Sequence, residues 1–175
     1  MTILIENGNI RLCLTEKADI PSVLEAENAP ENAEFVGQWP AEQHESALTD
    51  PDTLHLIVRD ATGQNAGFVI LERLANPNGS VSLKRIVITQ KGKGCGTRTI
   101  SLIKKWCFEV KHFHRLYLDV REHNARAQHV YETQGFVREG MMRECLKTEG
   151  GYQSLILMSI LEQEYTPKTK GSPRL

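Results

Sequence analysis

The sequence predicts an α/β protein, a mixed sheet with helices packed on it, and three observations carry that reading. Residues 83–97 read L-K-R-I-V-I-T-Q-K-G-K-G-C-G-T: the β-branched run Ile86, Val87, Ile88 breaks into a basic turn with Gly92, Gly94 and Gly96, then into an amphipathic helical pattern. Upstream, three apolar stretches at residues 54–59, 66–72 and 80–88, separated by the turns A-T-G-Q-N and A-N-P-N-G, describe an antiparallel meander. Downstream, residues 116–120 are again strand-like, and a strand on each side of a helix implies a right-handed crossover between parallel neighbours. Glycines at a helix N-terminus bring free backbone N–H groups and the positive dipole end together with no Cβ in the way. Such a turn suits an anion, here a ligand carrying phosphates, although it also fits a plain tight turn. There is no G-x-x-x-x-G-K-[ST], and the spacing and acidic follower of a dinucleotide fold are missing.

The elements follow in order. Apolar residues 3–5 and 10–14 flank Asn7-Gly8-Asn9, an N-terminal hairpin or bent strand. Asp19 offers an N-cap and Pro21 suits a first helical turn, with Ile20, Val23, Leu24 and Glu27 on one face. The pattern dissolves over residues 28–40, which keep Phe35 and Trp39, before a helix from Ala41 toward Leu48 that Asp50-Pro51 ends. On strand 80–88, Val81, Leu83, Arg85 and Val87 alternate with Ser82, Lys84, Ile86 and Ile88. In the helix after the glycine turn, Thr99, Ile103, Trp106 and Val110 form the apolar stripe, with Leu102 and Cys107 beside it. The next helix opens at Asn124, buries Ala127, Val130 and Tyr131, and closes at Gly135 in a left-handed cap. Residues 140–146 and 152–161 around T-E-G-G make a closing hairpin. Residues 1–165 are expected to form a single domain and the polar, proline-bearing 166–175 a mobile tail.

Composition excludes several classes of function. A net charge of −1 over 175 residues gives no global attraction to nucleic acid or anionic membrane. No apolar run approaches the roughly 18 residues of a membrane span, and M-T-I-L-I-E-N-G-N lacks the form of a secretory signal, so a cytoplasmic protein is expected. Cys13, Cys95, Cys107 and Cys145 are scattered and read as free thiols. The six histidines and these cysteines show no ligand spacing, so no metal site is expected. Phe35, Trp39 and His44 in an irregular segment suggest the wall of a substrate pocket, or simply aromatics capping the core.

The order of elements, with K-G-K-G-C-G opening one helix and N-A-R-A-Q-H-V-Y-E-T-Q-G-F in the next, resembles the GCN5-related N-acetyltransferase (GNAT) superfamily over residues 10–161. It is similar to the bacterial branch that includes ribosomal-protein N-terminal, spermidine and drug acetyltransferases. The resemblance implies the acyl-CoA N-acyltransferase fold and acetyl-CoA as cofactor. The family's [RQ]-x-x-G-x-[GA] falls on Lys91, Gly92, Lys93, Gly94, Cys95 and Gly96, with Thr97 and Ala127 also at the cofactor. Lys91 stands where relatives carry Arg or Gln, and it meets a phosphate as a point charge rather than a fork. Cys95 occupies a usually apolar position, which sets a core role against a dipole-activated thiol. By the same resemblance, Ile86, Val87 and Ile88 offer backbone groups to the pantetheine arm, and an N–H among them holds the thioester oxygen. Asn124 faces the cofactor while also serving as N-cap, and Tyr131 reaches the sulfur or else is a core aromatic.

The implied reaction is direct: a neutral amine attacks the thioester through a tetrahedral intermediate, and Tyr131 protonates the departing thiolate. Glu27, Glu34, Glu72 and Asp119 are candidate bases, with a water relay as the alternative. The acceptor is a small-molecule amine or a peptide N-terminus. Glu31, Glu34, Glu42 and Glu45 hint that it is cationic, and a homodimer is within expectation. The competing readings are a CoA-binding regulatory module without catalysis and a transferase for another acyl-CoA or a hydroxyl acceptor. A nucleic-acid module is disfavoured, since basic residues form no stripe.

Overall fold

The computed structural model describes residues 1–166, so the expected mobile tail lies outside the described residues except for Thr166. A hairpin of β1 (Ile3–Glu6) and β2 (Ile10–Leu14) leads into α1 (Ile20–Asn28), a single helical turn α2 (Pro30–Ala33), and α3 (Ala41–Ala47). The meander follows as β3 (Thr53–Asp60), β4 (Asn65–Glu72) and β5 (Ser80–Ile88), then α4 (Cys95–Lys105), β6 (Arg115–Arg121), α5 (Ala125–Thr133), β7 (Val137–Thr148) and β8 (Gly151–Leu161). The strands make one eight-stranded sheet in the order β1-β2-β3-β4-β5-β6-β8-β7. Among the described residues only β5 and β6 are parallel neighbours, joined by the α4 crossover as expected.

That parallel contact is short. Pairing covers Ser80 with Arg115, Val81 with Leu116 and Ser82 with Tyr117, and stops there. Beyond it β5 stays bound to β4 as far as Ile88, and β6 stays bound to β8 as far as Arg121. The two strands therefore splay, and their facing backbone groups are left to another partner.

The strict alternation expected along β5 does not hold. Ile70 pairs with Arg85 but Leu71 pairs with Leu83, so Lys84 is an extra residue, a β-bulge. Parity flips across it. Val81 and Leu83 pack in the same core cluster as Ile86 and Ile88, whereas Val87 packs on the opposite face with Val23, Ala26, Ile57, Phe68 and Ile70. One sheet face is thus covered by α4 and α5, the other by α1 to α3 with Val36 and Trp39.

The apolar stripe of α4 also ends differently. Thr99, Ile103, Trp106, Leu102 and Cys107 are buried as expected, but Val110 is 54% exposed. Residues Trp106–Val110 form a π turn, with the Lys111 N–H donating to Trp106 O at 3.0 Å. The extra residue per turn rotates the register, so Phe108 takes the buried place and packs against Tyr165 with ring centroids 5.1 Å apart.

Candidate active site

The splay opens into a cleft of about 970 Å³. Its floor is the β5 segment 83–88 and the β6 residues Asp119, Val120 and Arg121; the loop after β5, the first turns of α4 and α5, and the α2 segment close it. It holds Ile86, Val87, Ile88, Lys91, Gly92, Gly94, Cys95, Gly96, Thr97, Asn124, Ala127 and Tyr131, together with Phe35 and Trp39.

Local sequence explains the glycine-loop end of the cleft. Gly94 is the N-cap of α4 with φ 71°, and Gly92 has φ 80°, a backbone state that L side chains rarely adopt. The first α4 ladder bond is Arg98 N–H to Gly94 O at 3.1 Å, so the amides of Cys95, Gly96 and Thr97 lie outside the ladder. Space above Gly92 is empty to 4 Å. An open arc of amides at the positive end of an eleven-residue helix fits a pyrophosphate. The Lys91 ammonium donates to the Glu31 carbonyl at 3.2 Å, tying the loop to α2. Cys95 is buried in the core cluster, which favours the packing role. Lys93 does not line the cleft; its carbonyl accepts from Arg98 at 3.1 Å on the exposed side of the turn.

The other end of the cleft is set by α5. The Asn124 carboxamide oxygen accepts the Ala127 N–H at 3.1 Å, confirming its N-cap geometry while it faces the cleft. At the other end Gly135 has φ 90°, its N–H donates to Glu132 O at 2.9 Å, and the Phe136 N–H donates to Tyr131 O at 3.0 Å. This is a Schellman motif, completed by the Tyr131 and Phe136 rings at 5.7 Å. The G-F that ends the helix thus fixes the tyrosine that the cleft presents. Burial, with the Asp119 charge adding to it, pushes the Tyr131 phenol well above its ordinary value, so it is protonated at neutral pH.

Of the candidate bases, Asp119 alone lines the cleft. Asp119 keeps exposed surface in the cleft, and the partial desolvation there raises its pKa, with Lys84 and Arg121 pulling the other way. It lies two residues past the last paired residue of β6, at the root of the splay. Glu34 is exposed and sits 3.3 Å from His123. Glu72 is 3.9 Å from Lys84 at the far end of β4. Glu27 is fully buried and committed: it accepts from Arg85 at 2.5 Å, from the Trp39 N–H at 2.9 Å and from His44 at 3.3 Å. Burial opposes its ionisation, but these donors outweigh it and hold the carboxyl below the usual range.

His44 has no surface in the cleft, contrary to the expected pocket wall. It lies behind Trp39 with ring centroids 5.3 Å apart, fully buried, and contacts His55 at 3.0 Å, which in turn meets Thr15 at 2.9 Å. With neutral rings the direction of this chain follows from Glu27. The carboxylate accepts from His44 Nε2, so His44 Nδ1 accepts from His55 Nε2, and His55 Nδ1 accepts from the Thr15 hydroxyl. The chain joins α1, α3, β3 and β5 beneath the aromatic wall, where Arg85 stacks 4.7 Å from the Trp39 ring centroid. No local pattern marks it, since its members are far apart in sequence. Arg121 and Arg126 also line the cleft; the period of two along β6 from Asp119 is the sequence signal for Arg121, and no local pattern marks Arg126.

Comparison with known proteins agrees with this geometry. The model of the Acetyltransferase (GNAT) family matches residues 20–136. The spermidine N(1)-acetyltransferase of Escherichia coli K12 is 27% identical over 172 residues, covering 93% of this chain and 91% of the relative. That of Vibrio cholerae is 26% identical over 175 residues, covering 94% and 99%. A crystal structure of the Vibrio cholerae spermidine N-acetyltransferase in complex with CoA and spermine superposes with a TM-score of 0.81 at 25% identity, covering 90% of this chain and 98% of that one. The chain belongs to the GNAT family of acetyltransferases. It is an acetyl-CoA-dependent N-acetyltransferase, with an amine as acceptor.

Proposed function

We propose that acetyl transfer occurs at the root of the β5–β6 splay, by direct attack of the amine on the thioester. The observation that carries this reading is the coincidence there of unpaired β5 backbone, the Asp119 carboxyl and the Tyr131 phenol in one cleft. Backbone groups of Ile86, Val87 and Ile88 pair with the pantetheine arm, and an N–H among them stabilises the oxyanion of the tetrahedral intermediate. The amides of residues 92–97, with Lys91, hold the pyrophosphate, and Asn124 and Ala127 flank the arm. Asp119 takes the amine proton, directly or through a water, and Tyr131 gives its proton to the leaving thiolate. Phe35 and Trp39 wall the acceptor side.

Polyamines, named in the relatives, and peptide N-termini both belong in an acceptor panel. A homodimer is the proposed assembly, checked by sedimentation. Action in the cytoplasm is part of the proposal, supported by four unpaired cysteines and checked by fractionation. No helix among the described residues is long and apolar enough to cross a membrane.

The test is thiol release with Tyr131→Phe. We expect turnover to fall by about 10²-fold or more with acetyl-CoA affinity near wild type. Unchanged turnover across a pH series would remove Tyr131 from the acid role.

A further inference from the structure

The charges on the acceptor side differ from what a polycation needs. Among the described residues, Glu31 and Asp119 are the carboxylates lining the cleft, against Lys84, Arg85, Lys91, Arg121 and Arg126. Glu31 lies at the phosphate end, where its carbonyl binds Lys91. Arg85 is neutralised by Glu27. The acids that hinted at a cationic acceptor do not converge: Glu34 faces His123, Glu45 pairs with Lys17 at 2.8 Å, and Glu42 is exposed on α3 without lining the cleft.

What remains around Asp119 is cationic. Lys84 stands out at the bulge of β5, with Glu72 at 3.9 Å, too far for a hydrogen bond. Arg121 lies two residues beyond Asp119 on the same face of β6, and its hydrogen bond goes to a neutral amide, Gln153, at 2.5 Å. Arg121 lines the cleft, and a guanidinium carries five N–H donors, more than this bond uses. Both cations line the same cleft as the Asp119 carboxyl, Arg121 from the same strand and Lys84 from the facing strand β5. Spermidine with one nitrogen neutralised for attack still carries two ammonium groups, and these would face Lys84 and Arg121. A carboxylate next to the reacting amine would instead meet a guanidinium able to bind it with two hydrogen bonds.

Resting on the acetyltransferase reading above, we infer that the acceptor is an amine that itself carries a carboxylate, held by Arg121 with Lys84 beside it, and not a polyamine. The carboxylate supplies charge complementarity and leaves the Asp119 side of the cleft to the amine.

The experiment is thiol release by the full chain with acetyl-CoA and matched acceptors: phenylalanine against phenethylamine, lysine against cadaverine, serine against ethanolamine, with spermidine as reference. The carboxylate-bearing member of at least one pair should show about tenfold or greater kcat/KM over its plain amine and over spermidine. In Arg121→Gln that ratio should fall toward one through a raised KM for the amino acid, and Arg121→Lys should restore part of it. Spermidine matching or exceeding every amino acid, or a ratio unmoved in Arg121→Gln, overturns the inference while the transferase reading stands. Absence of thiol release with any amine, in protein that binds acetyl-CoA, overturns both.

Discussion

In the proposed mechanism Asp119 and Tyr131 divide the proton work, because their surroundings shift both groups upward from different starting points. The phenol stays protonated and can act as an acid; the carboxyl remains able to ionise and can act as a base. For Asp119 the raised value has a stability consequence. The folded state binds the proton more tightly than the unfolded chain, so the carboxyl favours folding below its ordinary 3.8, and that contribution is lost as pH rises through the raised value. Asp119→Asn removes the cost of ionising this group. We expect its thermal midpoint at pH 8 to equal or exceed wild type, the gap closing in acid, while turnover drops by about 10²-fold or more. Calorimetry at two pH values, paired with thiol release, checks this; a variant less stable at pH 8 refutes it. Glu27 behaves oppositely. Glu27→Ala leaves the Arg85 guanidinium buried without its partner and should cost about 3–5 kcal/mol, read from urea midpoints.

At the scale of elements, the end of α5 and the bulge of β5 aim the chemistry. Gly135 allows the Schellman turn that brings Phe136 back onto Tyr131. A side chain there meets a positive φ, and its Cβ would sit 3.4 Å from the Ile160 side chain. Gly135→Ala should therefore cost about 1–2 kcal/mol and lower the midpoint by a few degrees. Turnover should fall further than the KM for acetyl-CoA rises, because the tyrosine moves while the glycine loop does not. Equal effects on both would detach Tyr131 placement from this cap. The bulge at Lys84 puts a cation at the root of the splay and turns Arg85 toward α1. One extra residue thus decides which β5 side chains face the cleft.

Across the whole molecule, the α1 to α3 layer is joined to the sheet by apolar packing and by the buried chain from Glu27 to Thr15. His55 in that chain is lowered from 6.5 to about 3, chiefly by burial, with the nearby Arg85 charge adding to it. Its folded state resists protonation, so its stabilising contribution is complete above 6.5 and declines as pH falls toward about 3. Between pH 6.5 and 5 the loss approaches ~2 kcal/mol. Urea midpoints of wild type and His55→Gln at pH 7.5 and 5 measure it: wild type should lose more on acidification by about that amount. Parallel losses would show that His55 does not titrate with unfolding.

Short-range chemistry made much of this legible in advance. Glycines at a helix N-terminus, an Asn at the next N-cap, a G-F at its end and β-branched runs with turn residues between them act within a few residues. They determined the meander, the crossover, the loop of residues 91–97 and the placement of Asn124 and Tyr131. What tertiary structure alone decided depends on partners distant in the chain. The β5–β6 splay comes from where pairing stops, and the inversion of β5 faces from its register against β4. The exposure of Val110 follows from a π turn whose hydrogen bond no propensity marks. His44 looked like a pocket residue among aromatics and became a buried link, because its partners Glu27 and His55 lie on other elements. Charge shows the same division: the sequence supplied acids near Phe35 and Trp39, but folding turned most of them away and brought Arg121 and Lys84 into the cleft with Asp119 instead.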